Sequence, residues 1–83
     1  MAYSGLFRAS GGFDFITLRH RGGATEIVYD DGALHRRVWR VQGEATDGAL
    51  SEALARAHRE VNVVPALYAE LRKRSISIEA IAG

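Results

Sequence analysis

Hydrophobic and polar residues alternate along the first half of the chain, which is the pattern of an antiparallel sheet. Three segments are rich in aromatic and β-branched residues, which favour strands: 13–20 (FDFITLRH), 25–30 (TEIVYD) and 33–42 (ALHRRVWRVQ). Gly22-Gly23 and Asp31-Gly32 separate the segments, and both dipeptides are typical of two-residue hairpin turns. The pattern therefore predicts a three-stranded meander over residues 13–42.

Two-residue turns fix the register of the predicted meander. They place Leu18 opposite Ile27 in the first hairpin, and Tyr29 opposite Leu34 in the second. One face then carries the apolar residues, and the other carries a ladder of opposite charges: Arg19, Glu26 and Arg37. Opposite charges that face each other across strands stabilise a sheet by roughly 0.2–1 kcal/mol per pair. Arg36 does not fit, because this register points it inward.

The second half of the chain has helical periodicity. Apolar residues recur on one helical face in two stretches: Leu50, Ala53, Leu54, Ala57 and Val61, then Val64, Leu67, Tyr68 and Leu71. Thr46 or Asp47 suits the N-cap of a first helix that begins near Gly48. Pro65 suits the first turn of a second helix. We predict a helical hairpin over residues 47–74.

The two ends of the chain are less regular. Residues 1–12 form a glycine-containing leader. In the tail, residues 75–83, Ile76 and Ile78 alternate as in a short strand, whereas Ser77 also suits the cap of a last helical turn. We favour a short strand or an extended tail. The chain is then one α+β domain of two layers, a three-stranded antiparallel meander (with a fourth short strand if the tail pairs) packed against two helices.

Composition narrows the class of protein. Eighty-three residues leave room for one small domain. The absence of cysteine excludes a disulfide framework and a zinc–thiolate site. No stretch reaches the roughly 20 apolar residues of a membrane span, and the N-terminus has no apolar signal segment. We expect a cytoplasmic protein that makes no contact with a membrane.

Motifs for catalysis or cofactor binding are missing from the sequence. His20, His35 and His58 are not followed by a second ligand three or four residues further along the chain, as in the HExxH pattern. No serine lies in a G-x-S-x-G elbow, and no glycine-rich phosphate loop is present. Asp30 and Asp31 precede a glycine, where turn geometry explains them. We therefore expect no enzyme activity, no cofactor and no metal site.

Nucleic-acid binding is the weaker of two remaining functions. The net charge of +1 is far from that of a dedicated nucleic-acid binder. Basic and aromatic side chains on one sheet face can stack single-stranded bases, and the predicted register groups several: Phe13, Phe15, Arg19, Arg21, Arg37 and Trp39. However, Glu26 neutralises the middle of this group, and the helix dipole explains the basic residues 72–74. A small phage nucleic-acid-binding or regulatory protein remains the alternative.

Protein binding is the stronger interpretation. Two helices cover one sheet face and leave the other with aromatic and aliphatic side chains among Arg and Glu: Phe13, Phe15, Val28, Trp39 and Val41. This mixture is typical of interface hot spots. Alternatively, the leader and the tail cover this face, or two copies pack there face to face as a homodimer. As partner contacts we select four residues: Asp30, Asp31, Arg37 and Trp39.

In type, the chain resembles small phage-encoded anti-CRISPR proteins. The resemblance rests on the length of the chain, the lack of cysteine and of catalytic motifs, and three segments. These are the meander FITLRHRGGATEIVYDDGALHRRVWRV and the helices GALSEALARAHREV and VPALYAELRKR. The likeness covers the whole chain and matches no motif, so no functional residue is transferred from the family.

The resemblance implies a non-enzymatic inhibitor in the cytoplasm of a bacterial host cell. Many anti-CRISPR proteins bind a CRISPR effector complex by protein–protein contact and block its access to target DNA, several with acidic surfaces. The nearly neutral charge of this chain departs from that pattern. Any acidic patch would be local, at Asp30 and Asp31 or at Glu44 and Asp47. The implied partner is a large bacterial protein or nucleoprotein complex, and we expect a type I CRISPR effector.

Overall fold

The computed structural model describes residues 15–32 and 35–82. Its elements in chain order are β1 (Ile16–Arg21), β2 (Ala24–Asp30), β3 (Arg36–Gln42), α1 (Asp47–Ala57), α2 (Val63–Lys73) and β4 (Ser77–Ala82). The strands form one antiparallel sheet in the order β1-β2-β3-β4. The predicted α+β class, the two helices and the fourth strand are confirmed. The predicted leader, residues 1–12, lies outside the described residues, as do Phe13 and Leu34.

The first hairpin forms as predicted. Leu18 faces Ile27 and Arg19 faces Glu26. Gly22 and Gly23 have φ angles of 59° and 80°, and two positive φ angles are the requirement of a type I′ turn. A side chain at either position would force a left-handed backbone conformation that L-residues avoid.

The predicted register of the second hairpin is wrong by three residues. Val28 faces Val38 and Ile27 faces Trp39, so the loop after β2 has five residues, 31–35, instead of two. A shift by an odd number turns every side chain of the strand to the other face of the sheet. Trp39 therefore lies on the helix-covered face. Arg36 points to the opposite face, which removes its misfit in the predicted register.

Burial of Trp39 explains why the longer loop is favoured. Its side chain is 1 % exposed in a core that includes Ile16, Leu18, Leu54 and Leu67. A tryptophan side chain takes roughly 150–250 Å² out of water, which stabilises the fold by about 4–6 kcal/mol. The two-residue turn would have left this side chain on the other face of the sheet.

The side chains at the centre of the sheet face that lies away from the helices are also buried. Thr17, Val28 and Val38 form a row across β1, β2 and β3, and all three are buried. Beside this row the Glu26 carboxylate is buried and contacts Arg19 Nε at 2.7 Å and Arg40 Nη2 at 3.9 Å. The predicted Arg–Glu–Arg ladder is thus present, with Arg40 in place of Arg37, because arginine recurs three residues along β3.

The helices follow the predicted pattern closely. Thr46 caps α1, since its Oγ1 accepts a hydrogen bond from the Ala49 backbone N–H at 3.1 Å. The apolar stripes are buried at Leu50, Ala53, Leu54 and Ala57 in α1 and at Val63, Leu67 and Leu71 in α2. Val61 and Tyr68 are exceptions: α1 ends at Ala57 and Val61 is 97 % exposed, while Tyr68 is 38 % exposed. No helix among the described residues has the length and apolar character needed to cross a membrane.

A Schellman motif connects α2 to β4. The Ser75 N–H donates to the Arg72 carbonyl, and the Ile76 N–H donates to the Leu71 carbonyl, both at 3.0 Å. Ser75 adopts the left-handed conformation that this motif requires, with φ of 57°. Ile76 then packs against the core. The sharp turn returns the chain to the sheet, where Ile78 faces Val41.

Candidate functional site

The end of the β2–β3 hairpin brings three of the four predicted partner contacts together. Asp30 and Arg36 form the last residue pair of the hairpin, Asp31 follows Asp30, and Arg37 faces Tyr29 on the adjacent pair. Asp30, Arg36 and Arg37 are exposed, and Asp31 is partly buried. We call Asp30, Asp31, His35, Arg36 and Arg37 the hairpin-end cluster.

Side-chain hydrogen bonds brace this loop from both sides. Asp30 Oδ1 accepts from the Gly32 N–H at 2.9 Å, which is the Asx-turn contact. Asp31 Oδ1 accepts from the His35 N–H at 3.4 Å, and Asp31 Oδ2 lies 3.1 Å from His35 Nδ1. Both aspartates therefore have a structural task in the loop. These hydrogen bonds hold the Asp30 and Asp31 side chains in place at the hairpin end.

The charges at this end are mixed and exposed. Arg36 Nε lies 3.6 Å from Asp30 Oδ2, and both side chains are about half exposed. Arg37 forms no ion pair with any described residue, so its guanidinium donors face solvent. Arg37, opposite Tyr29, lies on the helix-covered face, whereas Asp30 and Arg36 point to the other face. The exposed Arg37 guanidinium could bind a carboxylate of another protein with two hydrogen bonds.

Trp39 is not part of this cluster. Its proposed role as a partner contact required an exposed face, but Trp39 is buried under the helices. Its indole Nε1 donates to Tyr68 Oη at 3.1 Å. The placement of Trp39 on the open face was wrong because it depended on a two-residue turn at Asp31-Gly32. Trp39 belongs to the core instead.

The predicted aromatic surface on the second sheet face is also different from expectation. Val28 is buried and Val41 lies on the helix-covered face, next to the core. Phe15 is 47 % exposed, and Phe13 lies outside the described residues. Among the described residues, the exposed Phe15 is the aromatic side chain left on this face, and face-to-face self-association remains a prediction.

Acidic residues pair with several of the arginines that favoured nucleic-acid binding. Arg19 pairs with Glu26 at 2.7 Å. Arg74 binds Glu70 at 2.8 Å and Glu52 at 3.4 Å, and Lys73 binds Glu70 at 3.3 Å. The hydrogen bond from Arg74 lowers the pKa of Glu70 from its ordinary value; partial burial opposes this shift and Lys73 adds to it. The hydrogen bond to Glu70 likewise raises the pKa of Arg74.

One hydrogen-bonded chain was not foreseen from the sequence. His20 Nδ1 lies 3.2 Å from Thr25 Oγ1, and His20 Nε2 lies 3.0 Å from Asp47 Oδ2. The chain ties the first hairpin to the first turn of α1, and it borders a cavity of about 590 Å³ between residues 23–25 and 43–46. The side chains of His20 and Asp47 are more than half exposed to solvent. We therefore assign these hydrogen bonds a structural role, the positioning of α1 against the first hairpin.

A metal site is not formed in the part of the chain that the structure describes, where no three His, Asp or Glu side chains converge.

Comparison with known proteins gave no match to any family model, to any curated protein or to any solved structure at the threshold of significance.

Proposed function

We propose that this chain is a non-enzymatic inhibitor that binds a large bacterial protein or nucleoprotein complex through its hairpin end. The first partner to test is a type I CRISPR effector complex, for which the resemblance to anti-CRISPR proteins is the reason. The mechanism is steric: the bound domain occludes the surface that receives target DNA.

The braced, mixed-charge hairpin end is the observation that carries this proposal. Asp30 and Asp31 accept backbone hydrogen bonds from Gly32 and His35 at 2.9 and 3.4 Å. These two side chains are therefore already ordered before a partner binds, which reduces the conformational entropy that binding costs. Arg37 is exposed and unpaired among the described residues. Arginine is one of the residue types that dominate binding energy at interfaces.

Affinity capture tests the proposal. The tagged chain is incubated with a bacterial lysate that contains a type I effector complex, treated with nuclease, washed and analysed by mass spectrometry. We expect effector subunits to be retained in constant proportion after the nuclease step. If every partner disappears with nuclease, the chain binds nucleic acid, and the alternative function replaces this one.

A matched pair of variants locates the contact. Arg37→Glu reverses a charge at the hairpin end, and Arg59→Glu makes the same change in the exposed loop between α1 and α2. We expect Arg37→Glu to lose the effector and Arg59→Glu to retain it. Equal capture by both variants contradicts the assignment of the hairpin end, whereas capture of a different protein complex by the wild type contradicts the CRISPR partner alone.

A further inference from the structure

The outer edge of β4 has no strand beside it in the described part of the chain. β4 pairs with β3 on one side and ends the sheet on the other. Ser77, Glu79, Ala80 and Ile81 are exposed, Ile81 by 38 %. The unpaired N–H and C=O groups of such an edge are a template for another strand.

Features that normally protect a sheet edge are weak in β4. Lysine, proline and inward-pointing charges discourage edge pairing, and β4 (SIEAIA) carries one charge. That charge, Glu79, accepts a hydrogen bond at 2.9 Å from Gln42 of its own sheet. By contrast, the opposite edge strand β1 carries Arg19, His20 and Arg21 in succession. β4 is therefore the edge more ready to pair.

We propose that β4 pairs antiparallel with β4 of a second copy of this chain, with the two-fold axis at Ile78. The pairing joins the two four-stranded sheets into one continuous sheet, with the helices of both copies on the same side. This dimer uses an edge of the sheet and leaves the hairpin end free, so it does not depend on the inhibitor function proposed above.

The register follows from the side chains of β4. A two-fold axis normal to the sheet sets each residue of β4 opposite a residue on the same face of the sheet. The axis must therefore pass through a residue and not between two residues, and near the middle of β4 it can lie at Ile78, Glu79 or Ala80. An axis at Glu79 would set two carboxylates directly opposite each other, which is destabilising. An axis at Ala80 would involve the irregular end of β4, because the register shifts between Val38 and Trp39.

An axis at Ile78 avoids both problems. It places Ile78 opposite its counterpart, Ser77 opposite the second copy's Glu79, and Ile76 opposite the second copy's Ala80. The three residues on the helix-covered face are then all apolar. Ser77 can donate a hydrogen bond to the facing carboxylate.

A groove along the same edge would be covered by this pairing. It has a volume of about 420 Å³ and lies between α2 and β4, lined by Tyr68, Leu71, Arg72 and residues 75–78. Ile76 and Ile78 are half-buried in its lining. The second copy's strand would pass its mouth and remove these isoleucines from water, which adds hydrophobic stabilisation to the new backbone hydrogen bonds.

Sedimentation equilibrium tests the dimer directly, because self-association depends on protomer concentration. Over about a hundredfold range of concentration we expect the mass to rise from one chain to two. Ile81→Lys places a protective charge at the edge and should hold the protein at the mass of one chain. Val61→Lys, in the loop between α1 and α2, should dimerise like the wild type. A wild-type chain that stays monomeric throughout overturns the proposal.

Cysteine cross-linking tests the register. The chain has no cysteine, so one introduced thiol reports a single contact. Residues directly opposite in antiparallel strands have Cα atoms about 4.5–5.5 Å apart, within the range of a disulfide. Under mild oxidation we expect Ile78→Cys to form a covalent dimer, and Glu79→Cys and Val61→Cys to remain single chains. Cross-linking of Glu79→Cys in preference to Ile78→Cys would overturn the register.

Discussion

The indole N–H of Trp39 donates a hydrogen bond to the phenolic oxygen of Tyr68 at 3.1 Å, and the two rings meet edge to face with centroids 5.9 Å apart. This contact joins the centre of the sheet to α2. It is also the contact that the longer β2–β3 loop makes available, because that register brings Trp39 to the helix side.

Tyr68→Phe is expected to lower the free energy of unfolding by about 1–3 kcal/mol, because it leaves the buried indole N–H without its acceptor. Urea denaturation followed by the fluorescence of the one tryptophan in the chain measures the loss. The matched control is Tyr29→Phe, since the Tyr29 hydroxyl forms no hydrogen bond with any described residue and its removal should cost little. Equal effects of both changes would show that the Trp39–Tyr68 bond contributes nothing specific.

The contact between Trp39 and Tyr68 also explains why the register of the first hairpin was predicted correctly and that of the second was not. At Gly22-Gly23 the turn, the apolar face and the Arg19–Glu26 pair all favoured one register, and that register is observed. In the second hairpin, Asp31-Gly32 and the apolar pattern favoured a two-residue turn. Arginine recurs three residues along β3, so the charge ladder fits either register, and the burial of Trp39 depends on tertiary packing that local pattern does not contain.

The candidate site, too, was predicted from the sequence only in part. Asp30 and Asp31 were selected from the sequence as a local acidic patch at the hairpin tip, and Arg37 as part of a mixed-charge sheet face; all three lie near one hairpin end. The chain of Thr25, His20 and Asp47 was not predicted, because 27 positions separate His20 from Asp47. The spacing of residues along the sequence does not predict a contact between the first hairpin and the N-terminus of a helix.

Arg19→Ala is expected to destabilise the fold more than Arg40→Ala. Both arginines face the buried Glu26 carboxylate, but Arg19 Nε lies 2.7 Å from it and Arg40 Nη2 lies 3.9 Å away. We expect a loss of about 1–3 kcal/mol for Arg19→Ala, as for a hydrogen bond to a charged group, and about 0.5 kcal/mol for Arg40→Ala. Chemical denaturation of the two variants measures the difference, and a larger loss for Arg40→Ala would reverse the assignment.

Glu70 should make the stability of the helical hairpin sensitive to acid. The hydrogen bond from Arg74 holds the pKa of Glu70 in the folded chain below its ordinary value, so in acid the unfolded chain binds more protons than the folded chain. The stabilisation is fully present well above the ordinary pKa of a glutamate and is lost as the pH falls through the lower pKa of the folded chain.

Glu70→Gln tests this dependence. The variant should be less stable than the wild type near neutral pH, and the difference should shrink in acid as Glu70 of the wild type becomes protonated. Urea midpoints measured as a function of pH provide the comparison, with Glu60→Gln in the exposed loop after α1 as the control. A difference that does not change with pH would contradict the role of the Arg74 hydrogen bond.

Ser75→Gly is expected to stabilise the chain by about 1 kcal/mol. Ser75 has φ of 57°, and the left-handed region costs a residue with a β-carbon roughly 1–2 kcal/mol, part of which glycine returns through the greater freedom of the unfolded chain. Thermal and urea unfolding of the variant measure the gain. Ser75→Val should have the opposite effect, and destabilisation by glycine would mean that the serine side chain itself supports the connection between α2 and β4.

The most direct test of the proposed function is competition for target DNA on a purified type I effector complex. DNA binding by the complex is measured while wild type, Arg37→Glu or Arg59→Glu is added. We expect the wild type and Arg59→Glu to block DNA binding at the same concentration, and Arg37→Glu to need about tenfold more, which corresponds to about 1.4 kcal/mol of binding free energy. Undiminished DNA binding at saturating wild-type protein would contradict the inhibitor function.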